Sequence, residues 1–488
     1  MNRIVTQTYG MYLKIIGFLF LFLPFYLSAN QSIDFTSMIA DSSITDYVII
    51  TDIAISGNKR TKDHIIFREL DFAVGDTLQS AKLTETLEES RNQVFNTTLF
   101  NDVKIEVGEQ EGILVKLHIA VEERWYVFPV PIFELTDRNF NVWWKEYNRD
   151  LSRTEYGLRF YHYNFRGRKE WLKATVQFGF TKKYELEYIM PFIDKARKIG
   201  AYYKLSYILN RELPFRNFNN SPEFYKHEDG FLQKRFNASI GSSLRPNIHG
   251  FHRLYLDYLH NSIADTLAAL NPDYFLEGRT EQTFLQLIYS YTVDLRDIAA
   301  YPLSGSYLDV QFIQSGLGIF GDVSMTSFTA NYSQYLSLGN NFYALGNVKT
   351  KFSFPKQQPF FNQRGLGFGL DYLRGYEFYV IDGQSYTMLR SALKYQLLKT
   401  KFRNPLFKSD QFRTIPLAIY LKTYGELAYV KDNYYMDTNP LANQWLKSVG
   451  VGVDVFSFYD LVASFEYTRN GLKDWGFYVS FGLNYDGR

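Results

Sequence analysis

Cysteine is missing from all 488 residues. No disulfide framework, thiol nucleophile or thiolate metal site can be built. The seven histidines (His64, His118, His162, His227, His249, His252 and His260) show no H-E-x-x-H or comparable ligand spacing. His249 and His252 stand close together in what reads as a turn, which suits a solvated loop pair better than a metal site. A surplus of one charge is also missing. Lys+Arg 53 against Asp+Glu 51 gives a net charge of +2 and no electrostatic footprint for nucleic acid. After the N-terminal region no apolar run is long enough to cross a bilayer as a helix. Ser304, Ser306 and His260 lack a G-x-S-x-G elbow or a spaced Ser/His/Asp set, which disfavours a hydrolase. Gly365-x-Gly367-x-Gly369 is not set in a βαβ unit, so no dinucleotide site follows, and no cofactor is implied.

What is present in excess is aromatic. Phe, Trp and Tyr make up 18%, with 39 Tyr and 43 Phe, while mean hydropathy is only −0.24. Barrels in lipid use such residues as girdles and as outward surface, and half of each strand faces a wet lumen. Ahead of this lies an export signal. Arg3 and Lys14 precede the apolar run Ile15 to Leu27, which ends at the small residues of Leu27-Ser28-Ala29. Residues 1–29 read as a signal peptide, with the mature chain starting near Asn30 or Gln31 and residues 30–46 as a linker. Met11-Tyr12-Leu13-Lys14 offers a second start, and no Cys follows the run to accept a lipid.

Residues 47–123 form a distinct pattern. Val48 to Ile55 is β-branched and ends at the turn signal Gly57-Asn58. Thr61 suits an N-cap before Ile65, Ile66 and Leu70 at helical spacing, and Gly75-Asp76 breaks that helix. A second helix starts at Ser80, with Leu83, Leu87, Val94 and Phe95 on one face. Val103, Ile105 and Val107 alternate, as does Leu114 to Val121. The order β-α-α-β-β predicts a small α+β domain. Residues 124–488 then predict an antiparallel transmembrane β-barrel of about sixteen strands, from Tyr126–Leu135 through Gly476–Asn484. Clean period-two alternation appears in Phe328-Ala330-Tyr332-Gln334. Short links such as Asn164 to Arg168 and Leu338 to Asn340 alternate with long ones: Leu213 to Gly230, Asp265 to Arg279 and Lys356 to Gly383.

Specific residues carry a resemblance. Ile53-x-Ile55-x-Gly57-Asn58, Arg68-Glu69-Leu70, Gly75-Asp76 and Leu99-Phe100-x-x-Val103 resemble a polypeptide-transport-associated (POTRA) domain. Gln363 to Gly369 followed by Leu373-Arg374-Gly375-Tyr376 resembles the loop signature of the BamA/TamA-type outer-membrane assembly and translocation barrels, which end in a bacterial surface antigen barrel. One POTRA domain fits before this barrel, fewer than the essential assembly factors carry. The resemblance implies that the loop enters the lumen and that Arg374 pairs with an acid on the inner wall, with Gly375 and Tyr376 shaping its seat. Glu426, in Tyr424-Gly425-Glu426-Leu427-Ala428, is the first choice of partner; Asp454 and Glu466 follow. A carboxylate on such an apolar strand should face the lumen, since lipid exposure is expensive. The final strand, Trp475 to Phe481, resembles a barrel targeting strand, with Gly482 to Arg488 beyond the usual terminal aromatic.

The expected function is an outer-membrane translocase or insertase, not an enzyme, with its N-terminal domain in the periplasm. Its expected partners are unfolded outer-membrane or secreted polypeptides, outer-membrane lipid, and periplasmic or lipoprotein accessory proteins. The alternative is a passive pore or structural barrel, which needs neither a POTRA domain nor an arginine loop.

Overall fold

The computed structural model describes residues 46–135, 148, 154–227, 230–321, 323–369, 371–403 and 414–482. The expected signal peptide, nearly all of the linker and the tail after Gly482 lie outside them. The chain divides into Met1–Asp46 and Tyr47–Arg488; the second unit is described below.

Its first part is a four-stranded sheet of β1 (Tyr47–Ser56), β2 (Thr77–Gln79), β3 (Phe100–Glu111) and β4 (Leu114–Glu123), in the order β2-β1-β4-β3. β1 and β4 run parallel at its centre. The helices Asp63–Phe67 and Leu83–Phe95 turn Ile65, Ile66, Leu87 and Val94 onto Ile50, Val115, Leu117 and Ile119, all buried. Burial of each such side chain contributes roughly 1.5–3 kcal/mol relative to exposure, and this cluster is the core of the small domain. Three expectations need correction. The short β2 edge, paired antiparallel with β1, was not expected; three residues carry too little periodicity to announce a strand. The first helix ends at Phe67, well before Gly75, and Lys62 rather than Thr61 occupies its cap position. Thr61 Oγ1 lies instead 3.0 Å from Tyr126 Oη and 2.9 Å from Asn164 Nδ2, tying the domain to the barrel.

The second part is a sixteen-stranded antiparallel sheet. Its strands are β5 (Val127–Leu135), β6 (Thr154–Phe165), β7 (Glu170–Gly179), β8 (Thr181–Met190), β9 (Ile199–Asn210), β12 (Gln233–Leu244), β13 (Gly250–Ile263) and β14 (Glu281–Asp294). They continue as β15 (Gly305–Ser315), β16 (Met325–Gly339), β17 (Phe342–Phe354), β18 (Ser385–Arg403), β19 (Thr414–Lys431), β20 (Trp445–Phe456), β21 (Val462–Asn470) and β22 (Trp475–Gly482). Between β9 and β12 the chain forms a separate hairpin, β10 (Glu212–Phe218) with β11 (Ser221–Lys226), where a plain loop was expected. His252 lies on β13, not in a turn, and its Nδ1 is 2.8 Å from Tyr289 Oη. The sequence of β21 shows why the sheet stands in lipid. Ser464, Glu466, Thr468 and Asn470 are buried on the inner face, while Phe465 and Tyr467 are exposed outside. Among the described residues no ladder joins β5 to β22.

The small domain is docked to the rim. The Arg245 guanidinium, from the β12–β13 turn, grips both oxygens of buried Glu69 at 2.7 and 2.5 Å. Burial alone would raise the Glu69 carboxyl. The hydrogen bond from Arg245 and the charges of Arg245, Lys169 and Arg68 outweigh it and hold the group below the ordinary glutamate range. Arg124 makes a second two-pronged pair with Asp460, at 2.7 and 3.0 Å, from the turn before β21. Asn96 donates to Asp297 O at 3.0 Å, and Lys62 N donates to Gly167 O at 3.0 Å. Removing one partner of such a buried pair costs about 3–5 kcal/mol, so these contacts hold the domain to the rim.

Candidate functional site: a charged hub under the lumen loop

The long loop between β17 and β18, residues 355–384, turns inward and seats its tip on the wall of β19, β20 and β21. Along β19 the alternation points Tyr420, Lys422, Tyr424 and Glu426 into the lumen, and all four are buried. On β20 the facing positions are Gly450 and Gly452, paired with Tyr424 and Lys422. A Cβ at Gly450 would lie 2.4 Å from Tyr424 Oη; one at Gly452 would lie 3.0 Å from Lys422 Cε and 3.2 Å from Glu466 Cγ. The two glycines open a trough through which side chains of β19 and β21 meet.

In this trough lies the hub. Arg374 Nε is 3.1 Å from Glu426 Oε1 and its Nη1 is 3.2 Å from Glu466 Oε1. The backbone N–H of Arg374 donates to Glu426 Oε2 at 3.0 Å, and the guanidinium lies 4.4 Å over the Tyr424 ring. Lys422 Nζ bridges Glu466, at 2.8 Å, and Asp454, at 2.6 Å. Asp454 thus enters through Lys422, and also accepts from Tyr301 Oη at 2.9 Å and Ser464 Oγ at 2.6 Å. Arg390, directly across from Glu426 in the β18–β19 ladder, approaches Glu426 Oε1 at 3.8 Å and donates to Tyr372 O at 2.6 Å. Cations and carboxylates alternate through the cluster, the arrangement that makes burial of so much charge tolerable.

Gly375 has φ +83°, and its carbonyl accepts from Asn470 Nδ2 at 2.9 Å. A Cβ there would meet Thr468 Cγ2 at 3.0 Å, so the left-handed backbone and the close wall both require glycine. Tyr376 is buried with Leu366, Leu373, Ile381, Met388 and Ala428, and its hydroxyl accepts from Gly471 N at 3.1 Å. From above, the β10–β11 hairpin reaches the same loop. Asn220 O accepts from Val380 N at 2.8 Å, Asn220 Oδ1 accepts from Leu441 N at 2.9 Å, and Asn217 donates to Asp382.

Sequence reasoning named Arg374, Gly375, Tyr376, Glu426, Asp454 and Glu466, and the fold brings all six into one region. It missed Lys422 and Arg390. The available signal was a lysine placed in phase with Tyr420, Tyr424 and Glu426 on β19, where a cation facing lipid would be expensive.

A barrel with an inward loop and a docked periplasmic domain defines a class of outer-membrane protein. The Omp85 superfamily domain matches residues 164–455, and the chain belongs to the Omp85 superfamily. Residues 48–124 match the POTRA family described as surface antigen variable number repeat. The barrel resides in the outer membrane with this domain in the periplasm. Over 100 residues the chain is 33% identical to outer membrane protein assembly factor BamA of Neorickettsia risticii, a match spanning 20% of this chain and 13% of that relative's length. CdiB from Escherichia coli superposes with TM-score 0.52 at 11% identity, over 89% of this chain and 74% of that one. BamA from Haemophilus ducreyi lacking POTRA domains 1-3 gives TM-score 0.48 at 15% identity, over 89% and 83%.

Proposed function

We propose that this protein inserts exported polypeptides into the outer membrane or passes them across it. Residues 47–123 act as the client-handling periplasmic domain and residues 124–488 as the conducting or inserting barrel. The observation that carries this reading is the hub. A loop held across the lumen by buried, mutually compensating charges is a device for a regulated passage, since a barrel open to small solutes gains nothing from it. Arg374, Gly375 and Tyr376 set the loop tip, while Glu426 and Glu466, with Asp454 behind Lys422, form its seat. Non-catalytic handling of unfolded polypeptides fits both the Omp85 membership and the edge strands of the small sheet, which can accept a client strand. Accessory periplasmic or lipoprotein partners would join through the same domain.

The test is photo-crosslinking from positions on β2 and on the lumen loop in growing cells, with mass spectrometry of the adducts. Unfolded outer-membrane or secreted polypeptides are expected at both positions. Solute flux through the wild-type barrel without polypeptide adducts would establish the passive-pore reading instead.

A further inference from the structure

At the junction of the small domain with the β6–β7 and β8–β9 turns, cations gather around one ring. The Arg68 guanidinium lies 5.1 Å from the Phe192 ring centre and that of Arg168 lies 4.9 Å from it. Arg168 also donates to Phe192 O at 3.4 Å. The His64 ring meets Phe192 edge-on at 5.6 Å. Burial, and then the charges of Arg197, Arg168 and Arg68, hold the His64 imidazole below its ordinary range despite the opposing charge of Asp63. Its Nε2 is buried and has no hydrogen-bond partner.

The carboxylates of this corner are outnumbered by its cations and shared among them. Glu69 is held by Arg245 at 2.5 Å and lies 3.8 Å from Arg68 Nε, Glu170 is held by Arg166 at 2.8 Å and lies 3.6 Å from Arg168 Nε, and Asp194 accepts from the N–H groups of Lys198 and Ile199, both at 2.9 Å. Arg197 is exposed and makes no ion pair among the described residues. A buried polar nitrogen facing several guanidinium groups is an unfinished site, and what completes it carries negative charge. The location says where that charge comes from. Ile199 stands in phase with the lipid-facing Tyr203 and Leu205 on β9, and Ile193 is exposed beside it. The Arg168 side chain, 35% exposed, opens the corner toward this boundary.

We propose that Arg68, Arg168, Arg197 and His64 bind the phosphate of an anionic phospholipid in the periplasmic leaflet. Guanidinium forks match phosphoryl oxygens in geometry and charge, and His64 Nε2 supplies a further polar contact. One lipid headgroup would then bridge the helix Asp63–Phe67 to two barrel turns, so that the leaflet itself helps to hold the POTRA domain in place.

The experiment uses the mature protein in uncharged micelles, labelled with nitrogen-15 at histidine, near neutral pH. Dihexanoyl phosphatidylglycerol should move the His64 ring resonances saturably toward the imidazolium position, whereas dihexanoylglycerol, which has the same tails and no phosphate, should not. R168Q/R197Q should weaken the apparent affinity by about tenfold or more, as expected for lost charge-assisted contacts, with unchanged heat-modifiable gel mobility. R197Q alone leaves every described ion pair intact and should weaken binding in the same direction. Inorganic phosphate should need at least about tenfold higher concentration, because it lacks tails to partition beside Ile193 and Ile199. Absence of a shift with the lipid, or equal affinity in the variants, overturns the site. Inorganic phosphate binding as well as the lipid overturns the lipid assignment.

Discussion

The lumen hub and the periplasmic rim both rest on arginine–carboxylate pairs, yet they are built on opposite plans. In the hub each carboxylate is shared: Glu466 serves Arg374 and Lys422, and Glu426 serves Arg374 and approaches Arg390. At the rim each carboxylate is gripped on both oxygens by a single arginine, with Arg68 a more distant neighbour of Glu69 at 3.8 Å. Glu69 grips Arg245 and Asp460 grips Arg124, from separate turns. A shared network answers any deletion as a unit, because every removal leaves a buried neighbour uncompensated. Two-pronged pairs set on separate turns fail one at a time and leave the rest of the docking surface intact. The loop contact should therefore be lost as a unit, and the domain contact in steps.

The strongest way to break the contrast is Arg374→Ala. It leaves Glu426 and Glu466 short of a buried cation and should cost loop docking about 3–5 kcal/mol. Protease cleavage within residues 355–384 should become rapid and client yield should fall, while gel mobility shows a closed barrel. A double-mutant cycle with Glu426→Ala should return a coupling of about 1–3 kcal/mol; independent effects would show that the pair is not energetically real. At the rim, Glu69→Ala should cost about 3 kcal/mol, the low end for a broken buried pair, since Arg245 keeps its hydrogen bond to Ile248 O at 2.8 Å, and faster hydrogen exchange should be confined to the small domain.

Acid sharpens the same contrast. The folded Glu69 carboxyl titrates below its unfolded value, so its contribution is fully present above about pH 4.3. That contribution is lost as pH falls through the lower folded value. Protection at the docking surface, taken relative to the intrinsic exchange rate at each pH, should therefore stay constant from neutral pH to about pH 5 and fall below about pH 4. Gly375→Ala should weaken loop seating by about 1–2 kcal/mol through backbone strain, read as a modest gain in protease sensitivity. Lys116→Ala, which removes a fully exposed pair with Glu109 at 2.7 Å, should leave the melting temperature unchanged.

The sixteen strands were legible because lipid on one side and water on the other force a period of two, as β21 shows with Phe465 and Tyr467 against Glu466 and Thr468. The hairpin β10–β11 was not, since Pro214, Arg216 and Asn217 interrupt its short alternation and neither face is in lipid. The acids of the site were legible as charges on apolar strands. Lys422 was not, because its meaning depends on the register that sets it opposite Gly452, which no single strand reveals. Thr61 misled for a related reason: its hydroxyl satisfies a neighbour across the domain junction instead of its own helix.

The Asn220 carbonyl oxygen accepts from Val380 in the β17–β18 loop, while its amide oxygen and amide nitrogen reach Leu441 and Asn439 in the β19–β20 loop. Lifting the hairpin therefore frees polar groups in two other loops in one event, and water is at hand to take them up. Collective motions of this kind run on the microsecond-to-millisecond scale, and the hairpin and both loops should move together. On the proposed function, a passing polypeptide would meet the hairpin at the cell surface and the hub beneath it.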